Sequence, residues 1–282
     1  MTIKKNFWHR NVRFFCLLLL LYTVALGYMV IKQRDFMYFP AGERPEEAII
    51  ASGADNISVM TADGLKLNGL YWPSENTGMP VIIFFHGNVQ DYDFFLSRAR
   101  EFSDAGYGFL LAEYRGYGGN PGKPSEEGLY YDARAYINAL SKKFGTPVSN
   151  MVFIGYSLGT GVAVQMALEY KDVAGLVLQG AYIATSDVAK MKYWMFPVDF
   201  VMQDQYRSID KIADVKAPLL MIHGARDTTI PIKFAEDLYS AAKRSKLFIR
   251  LEHAGHNDIY DHDAFAHTDK FIKTLLGQAG SP

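Results

Sequence analysis

Gly155-Tyr156-Ser157-Leu158-Gly159 sets a serine between two glycines, directly after the apolar run Met151 to Ile154 and ahead of a helical pattern over Val162 to Tyr170. A short buried strand, a sharp turn and a helix are the context in which a G-x-S-x-G sequence becomes a nucleophile elbow, with the serine hydroxyl lifted above the sheet edge. Side chains at Gly155 and Gly159 would collide with such a strand-helix crossing. The helix starting at Leu158 aims its free N–H groups at the reacting centre. A serine hydroxyl attacks only when a base takes its proton, and an imidazole does this only when an acid holds it in one tautomer. Both partners are expected after Ser157, each at a strand end. Asp227 follows the run Leu219 to His223 and His256 follows Leu247 to Leu251, which gives the order Ser157, Asp227, His256.

The chain has seven histidines, so the base has to be chosen among them. His86 and His223 each precede a glycine at a strand end, where a structural hydrogen bond is expected. His262 and His267 fall in helical patterns, and His9 precedes the first apolar segment. His253 is the second candidate base. Asp187 is the rival acid, and the alternative reading of Asp227 is a loop aspartate satisfying nearby backbone N–H groups. A tetrahedral intermediate needs two N–H donors. The backbone amide of Leu158 supplies one in this reading and that of Asn88, after His86-Gly87, supplies the other.

The elements that would carry these residues alternate. Asp63-Gly64 joins two runs of alternating apolar and polar residues, which predicts a hairpin. Val81 to Phe85 is a continuous apolar run suited to a strand buried on both faces. Strands are then predicted at Gly108 to Ala112, before the elbow, at Gly175 to Gln179, Leu219 to His223 and Leu247 to Leu251, with helices at Glu126 to Leu140, Ile232 to Ala242 and Ala264 to Leu276. This alternation predicts an α/β fold with a mainly parallel central sheet flanked by helices, the hairpin adding antiparallel strands at one edge. Its site lies beyond the carboxyl ends of the strands.

Phe14 to Ile31 carries no formal charge and is long enough to cross a bilayer as a helix. Lys4, Lys5, Arg10 and Arg13 precede it, so an uncleaved anchor would keep residues 1–13 in the cytoplasm and put the rest on the extracytoplasmic side. Two other readings stand beside the anchor: a secretory signal cleaved near Ala25-Leu26-Gly27, and a core helix. Residues 32–55 read as a lead-in without periodicity and residues 56–277 as the domain. Over 282 residues the net charge is −1 with no dense basic run after the N-terminus, which argues against nucleic acid as a partner. Cys16 is the one cysteine, so no intrachain disulfide forms. No ligand spacing suggests a metal, and no cofactor is implied.

With these residues in view, the chain resembles the α/β-hydrolases and, more narrowly, the membrane-anchored Bem46-like group related to the alpha/beta-hydrolase domain-containing proteins. The resemblance covers about residues 33 to 276. It rests on Gln33 to Pro40, Phe85-His86-Gly87-Asn88, Tyr114-Arg115-Gly116-Tyr117-Gly118, Pro124 to Leu129, Asp132, the elbow, His223 to Asp227, and Gly255-His256-Asn257-Asp258. It implies Ser157 as nucleophile, Asp227 as acid and His256 as base, acting on carboxylic esters, thioesters or lipid acyl chains. Glu113 stands where many relatives carry Asp. A cap is expected over residues 183–206, whose apolar side chains read either as packing against the sheet or as a wall for an acyl chain. Tyr156, Trp194 and Phe196 are the candidate substrate contacts. The expected function is a membrane-anchored serine hydrolase of small-molecule or lipid esters and thioesters. A peptidase or amidase on the same triad is the second reading, and a catalytically silent binding protein the third.

Overall fold

The computed structural model describes residues 2–40, 44–76, 78–89 and 91–279. The chain opens with α1 (Thr2–Met37) and α2 (Glu46–Ala51), followed by the hairpin β1 (Asp55–Met60) and β2 (Lys66–Trp72). The alternating part is β3 (Val81–Phe85), α3 (Tyr92–Asp104), β4 (Gly108–Leu111), α4 (Glu126–Lys143), β5 (Met151–Tyr156), α5 (Gly159–Glu169) and β6 (Gly175–Gln179). Two cap helices, α6 (Thr185–Tyr193) and α7 (Val198–Val201), precede β7 (Leu219–Gly224), α8 (Ile232–Ala241), β8 (Lys246–Leu251) and α9 (Ala264–Ala279).

Among the described residues the sheet has eight strands in the order β1-β2-β4-β3-β5-β6-β7-β8. The first two ladders, β1 with β2 and β2 with β4, are antiparallel, and every other ladder is parallel. Alternation along each strand divides the core in two. Ile83, Phe85, Leu110 and Phe153 face the layer containing α4, α5 and α8. Ile82, Phe84, Phe109, Val152 and Ile154 face α3 and α9. A strand buried on both faces has no polar side to alternate with, which is why Val81 to Phe85 reads as an unbroken apolar run.

Local chemistry sets the helix ends. Ser125 caps α4 by accepting from the Gly128 amide, with Glu126 and Glu127 in the first turn and Lys142 and Lys143 in the last, as the helix dipole favours. Asp91 caps α3 through the Phe94 amide. The Arg115 guanidinium bonds buried Asp132 on α4 at 2.7 Å and Asp63 in the hairpin turn at 2.7 Å. This ties the antiparallel edge to the parallel core.

Three expectations change. The stretch 32–55 is not an aperiodic lead-in: α1 runs on to Met37, α2 occupies Glu46–Ala51 and β1 begins at Asp55; residues 41–43 of that stretch lie outside the described residues. Helix α3 was not among the predicted helices, although Tyr92, Phe95, Ala99 and Phe102 recur at helical spacing and form its buried face. The stretch 183–206, expected as an apolar cap segment, holds two helices, α6 and α7. Helix α1 is long and apolar enough to cross a membrane from Trp8 to Met37, and that span is not buried in the domain. Lys4 and Lys5, part of the case for its orientation, lie where side chains are outside the described residues.

Glu113, just after β4, is buried, and the Tyr92 hydroxyl donates to it at 2.6 Å. Burial pushes its carboxyl up to about 7, against the opposing pull of that hydrogen bond and of Arg44. The folded chain thus keeps a proton that the unfolded chain releases above about pH 4.5. The cost to stability is absent below that pH, grows as pH rises and is complete above 7. Glu113→Gln should remove this cost, gaining about 3 kcal/mol over wild type between the two limits, measurable by urea denaturation on either side of the window.

Candidate active site

Ser157 sits at the end of β5 with a φ of 51°, a left-handed backbone that a residue with a side chain adopts only when its surroundings hold it there. Its amide donates to the Gln179 carbonyl at 2.8 Å, and its carbonyl accepts from the Thr160 amide at 2.9 Å and the Thr160 hydroxyl at 2.7 Å. The turn needs glycine on both sides. A Cβ on Gly159 would lie 1.9 Å from the Phe85 carbonyl oxygen, and one on Gly155 would lie 2.5 Å from the Gly159 oxygen.

The structure brings Ser157, Asp227 and His256 together from the ends of β5, β7 and β8. His256 Nε2 is 2.9 Å from Ser157 Oγ, and His256 Nδ1 is 2.6 Å from Asp227 Oδ2. An ionised carboxylate only accepts, so Nδ1 carries the proton and Nε2 is free to accept the serine's. Asp227 Oδ1 accepts from the amides of Thr229 and Ile230, both at 2.8 Å. Burial by itself would raise the Asp227 carboxyl. Hydrogen bonding from His223 and His256 and from the Ile230 amide outweighs this and holds it well below the usual carboxylate range. His223 thus joins the site from behind, with Nε2 3.3 Å from Asp227 Oδ2 and 2.8 Å from the Ile230 carbonyl.

The rival candidates lie elsewhere. The His253 ring is exposed and bonded to Arg226, and Asp187 accepts from Lys190 on α6.

Asn88 and Leu158 line the same cavity as Ser157. The path at Asn88 is held by Tyr117, whose hydroxyl donates to the Asn88 carbonyl at 3.0 Å. It is also held by His86, which burial keeps neutral by lowering its pKa to about 4. His86 Nδ1 donates to the Gly87 carbonyl at 2.7 Å. Because the peptide is planar and trans, that bond turns the Asn88 N–H away from His86. Among the described residues, no cluster of three or more His, Cys, Asp or Glu side chains is placed to hold a metal ion.

The cavity has a volume of about 680 Å³. Ser157, Asn88, Thr228 and Thr229 line it together with mainly apolar side chains of α1 and of α6 and α7, among which Gln33, Thr185 and Lys192 are the polar exceptions. Phe196 lines this cavity. Trp194 and Tyr156 do not. Trp194 points outward and is 76% exposed. Tyr156 lies behind the triad, its hydroxyl donating to the His256 carbonyl at 2.9 Å and its ring packed on Phe94. Sequence reasoning missed Gly180, at a φ of 66°, where an added Cβ would come within 3.1 Å of the His256 ring. The signal for it was a glycine directly after the Gly175 strand.

The fold and the elbow define an α/β-hydrolase. A family model described as alpha/beta hydrolase fold matches residues 80–211. An uncharacterized protein of Mycobacterium tuberculosis is 36% identical over 229 residues, covering 80% of this chain and 81% of its own length. The chain belongs to the α/β-hydrolase superfamily. Alpha/beta hydrolase domain-containing protein 17C of Homo sapiens is 32% identical over 186 residues, 63% of this chain, and the match spans only 53% of the human protein. Among solved structures, a Pyrococcus furiosus esterase superposes with a TM-score of 0.67 at 19% identity, covering 85% of this chain and 98% of its own. The esterase domain of a Rhodothermus marinus protein gives a TM-score of 0.59 at 20% identity, covering 80% and 97%. At these identities the two structures show the shared fold.

Placing Tyr156 behind the imidazole gives a test. Tyr156→Phe removes one hydrogen bond that fixes the His256 backbone, worth about 1 kcal/mol. The turnover of a chromogenic ester should fall about fivefold, equally for short and long acyl chains. A change in chain-length preference would instead mark Tyr156 as a substrate contact.

Proposed function

We propose that this protein is a membrane-anchored serine hydrolase of carboxylic esters or thioesters, acting on lipid-derived acyl groups through an acyl-serine intermediate. The observation that carries this reading is the continuous hydrogen-bonded chain from Asp227 through His256 to Ser157, which lines a mainly apolar cavity. Esterases among the structures of similar fold are consistent with it.

In this mechanism Ser157 Oγ attacks the acyl carbonyl carbon while its proton passes to His256 Nε2. The carbonyl oxygen takes up the negative charge and is met by the amides of Asn88 and Leu158. Collapse breaks the bond from carbonyl carbon to oxygen or sulfur, and the alcohol or thiol leaves with the proton from His256. A water molecule then gives its proton to His256 and its hydroxyl to the acyl carbon. The second collapse releases the acid and returns the proton to Ser157. Asp227 stays ionised throughout, holding the tautomer and stabilising the imidazolium.

Helix α1 anchors the chain in a membrane, with Arg10 and Arg13 on the cytoplasmic side and the catalytic domain on the other. An amidase or peptidase on the same triad is less favoured, because the apolar cavity suits an acyl chain better than a peptide. The intact triad disfavours a silent binding protein.

Fluorophosphonate labelling of the detergent-solubilised chain tests the reading. Wild type is expected to label covalently and Ser157→Ala to lose the label. Asp227→Asn, which leaves the geometry but releases the tautomer, should lower the ester turnover by about 10⁴-fold. A folded wild type that does not label would refute the hydrolase.

A further inference from the structure

The domain-facing side of α1 is a regular stripe. Tyr22, Leu26, Gly27, Met29, Val30, Gln33 and Met37 are the half-buried positions of its second half, and they fall on one side of the helix at three- and four-residue spacings, with Leu26 beside Gly27 and Met29 beside Val30. Two sets of polar contacts fasten this face to the cap. Near the domain, Arg34 makes a bidentate pair with Asp204 at 2.7 and 3.0 Å, the Gln33 side chain accepts from the Gln203 amide at 2.7 Å, and Tyr38 meets Asp204 and Tyr206 at 3.2 and 3.0 Å. Farther along the helix, the Tyr22 hydroxyl donates to the Met195 carbonyl at 3.0 Å, and its ring stacks on Phe196 at 5.6 Å. Tyr22 and Gln33 are about 16 Å apart along the helix axis. Between them Leu26, Met29 and Val30 line the cavity that ends at Ser157.

These same residues lie inside the stretch long and apolar enough to cross a membrane. The cap beside them exposes Trp194 and Phe200, the latter 91% accessible, together with Met191 and Met195. In water such a patch is unfavourable by about 25 cal/mol per Å², and against hydrocarbon it is not. The cavity therefore joins Ser157 to a mainly apolar lining from α1 and the cap, interrupted by Gln33, Thr185 and Lys192, and most of that lining suits a hydrocarbon tail better than water.

We propose that the membrane helix is itself a wall of the acyl site, and that acyl chains of bilayer lipids enter between α1 and the cap from the hydrocarbon layer, the ester carbonyl coming to rest at Ser157. The inference builds on the serine-hydrolase reading and adds where the substrate comes from. It also gives the helix a role that a cleavable signal could not fill, since a cut near Gly27 would remove Leu26 from the wall and Tyr22 from its contact with the cap.

The test uses the full chain reconstituted in phosphatidylcholine vesicles. Val30→Trp fills the slot from the helix side, while Ile31→Trp, on the exposed face at 80% accessibility, does not. The ratio of kcat/KM for a palmitoyl ester to that for an acetyl ester should fall by about tenfold or more in Val30→Trp and stay within about twofold in Ile31→Trp. Phospholipids with brominated chains should quench a component of the tryptophan emission that is missing in Trp194→Phe. This second measurement needs no change in the cavity, so it stands even if Val30→Trp folds poorly. An unchanged ratio in folded Val30→Trp, or no quenching assignable to Trp194, would overturn the proposal and favour esters arriving from water. Fluorophosphonate labelling of the wild type separates the two failures: a labelled enzyme with an unchanged ratio loses only the bilayer route.

Discussion

The close passage of α5 over the end of β3 is the constraint on which the rest of the site depends. Gly159 approaches the Phe85 carbonyl so nearly that no side chain fits between them. That approach is possible only because β3 and β5 pair in parallel with Phe85 opposite Gly155. The turn leaves Ser157 in a backbone conformation costing about 1–3 kcal/mol, which packing on both faces of the sheet must offset. The same turn puts the serine, the Leu158 amide and the end of β3 around one point, so their relative placement is set by one piece of backbone geometry.

Two buried carboxyls show how the protein decides where to keep a charge. Glu113 and Asp227 both lose solvent, and burial pushes both upward. Around Asp227 two imidazoles and the amides of Thr229 and Ile230 converge, and the charge is held. Around Glu113 there is the Tyr92 hydroxyl and an Arg44 guanidinium 4.0 Å away, and the proton is kept to about neutral pH. A buried carboxylate that stays ionised therefore needs donors from several elements at once. The β7 and β8 ends supply them.

Hydrogen bonds tie the cap to α1 at both ends of their contact. Arg34, Tyr38 and Tyr206 form a polar seam at the base, and above it the contacts become apolar. A pair such as Arg34 with Asp204 orients the two elements more than it stabilises them, because desolvation offsets much of its Coulomb energy. Orientation matters here because the cavity between helix and cap exists only if the two keep their spacing.

Much of this architecture is written in local pattern. Val81 to Phe85, Gly175 to Gln179 and Leu219 to His223 declare buried strands through unbroken apolar runs, and Asp63-Gly64 declares the hairpin, because these signals depend on neighbouring residues alone. The order of Ser157, Asp227 and His256 was legible for the same reason, each marked by the strand it follows. Tyr156 and Trp194 were misjudged because an aromatic residue carries no mark of the direction it faces. The wall made by α1 was equally invisible. Its outward face is as apolar as its inward one, so no amphipathic period appears, and its partners, such as Met195 beside Tyr22, lie 173 residues away in the chain. The amino-acid sequence alone determined the strand order's raw material and the chemistry at the strand ends. Only tertiary packing decided which apolar surfaces meet, since hydrophobic attraction is non-directional and the close fit of particular elements is what selects among them.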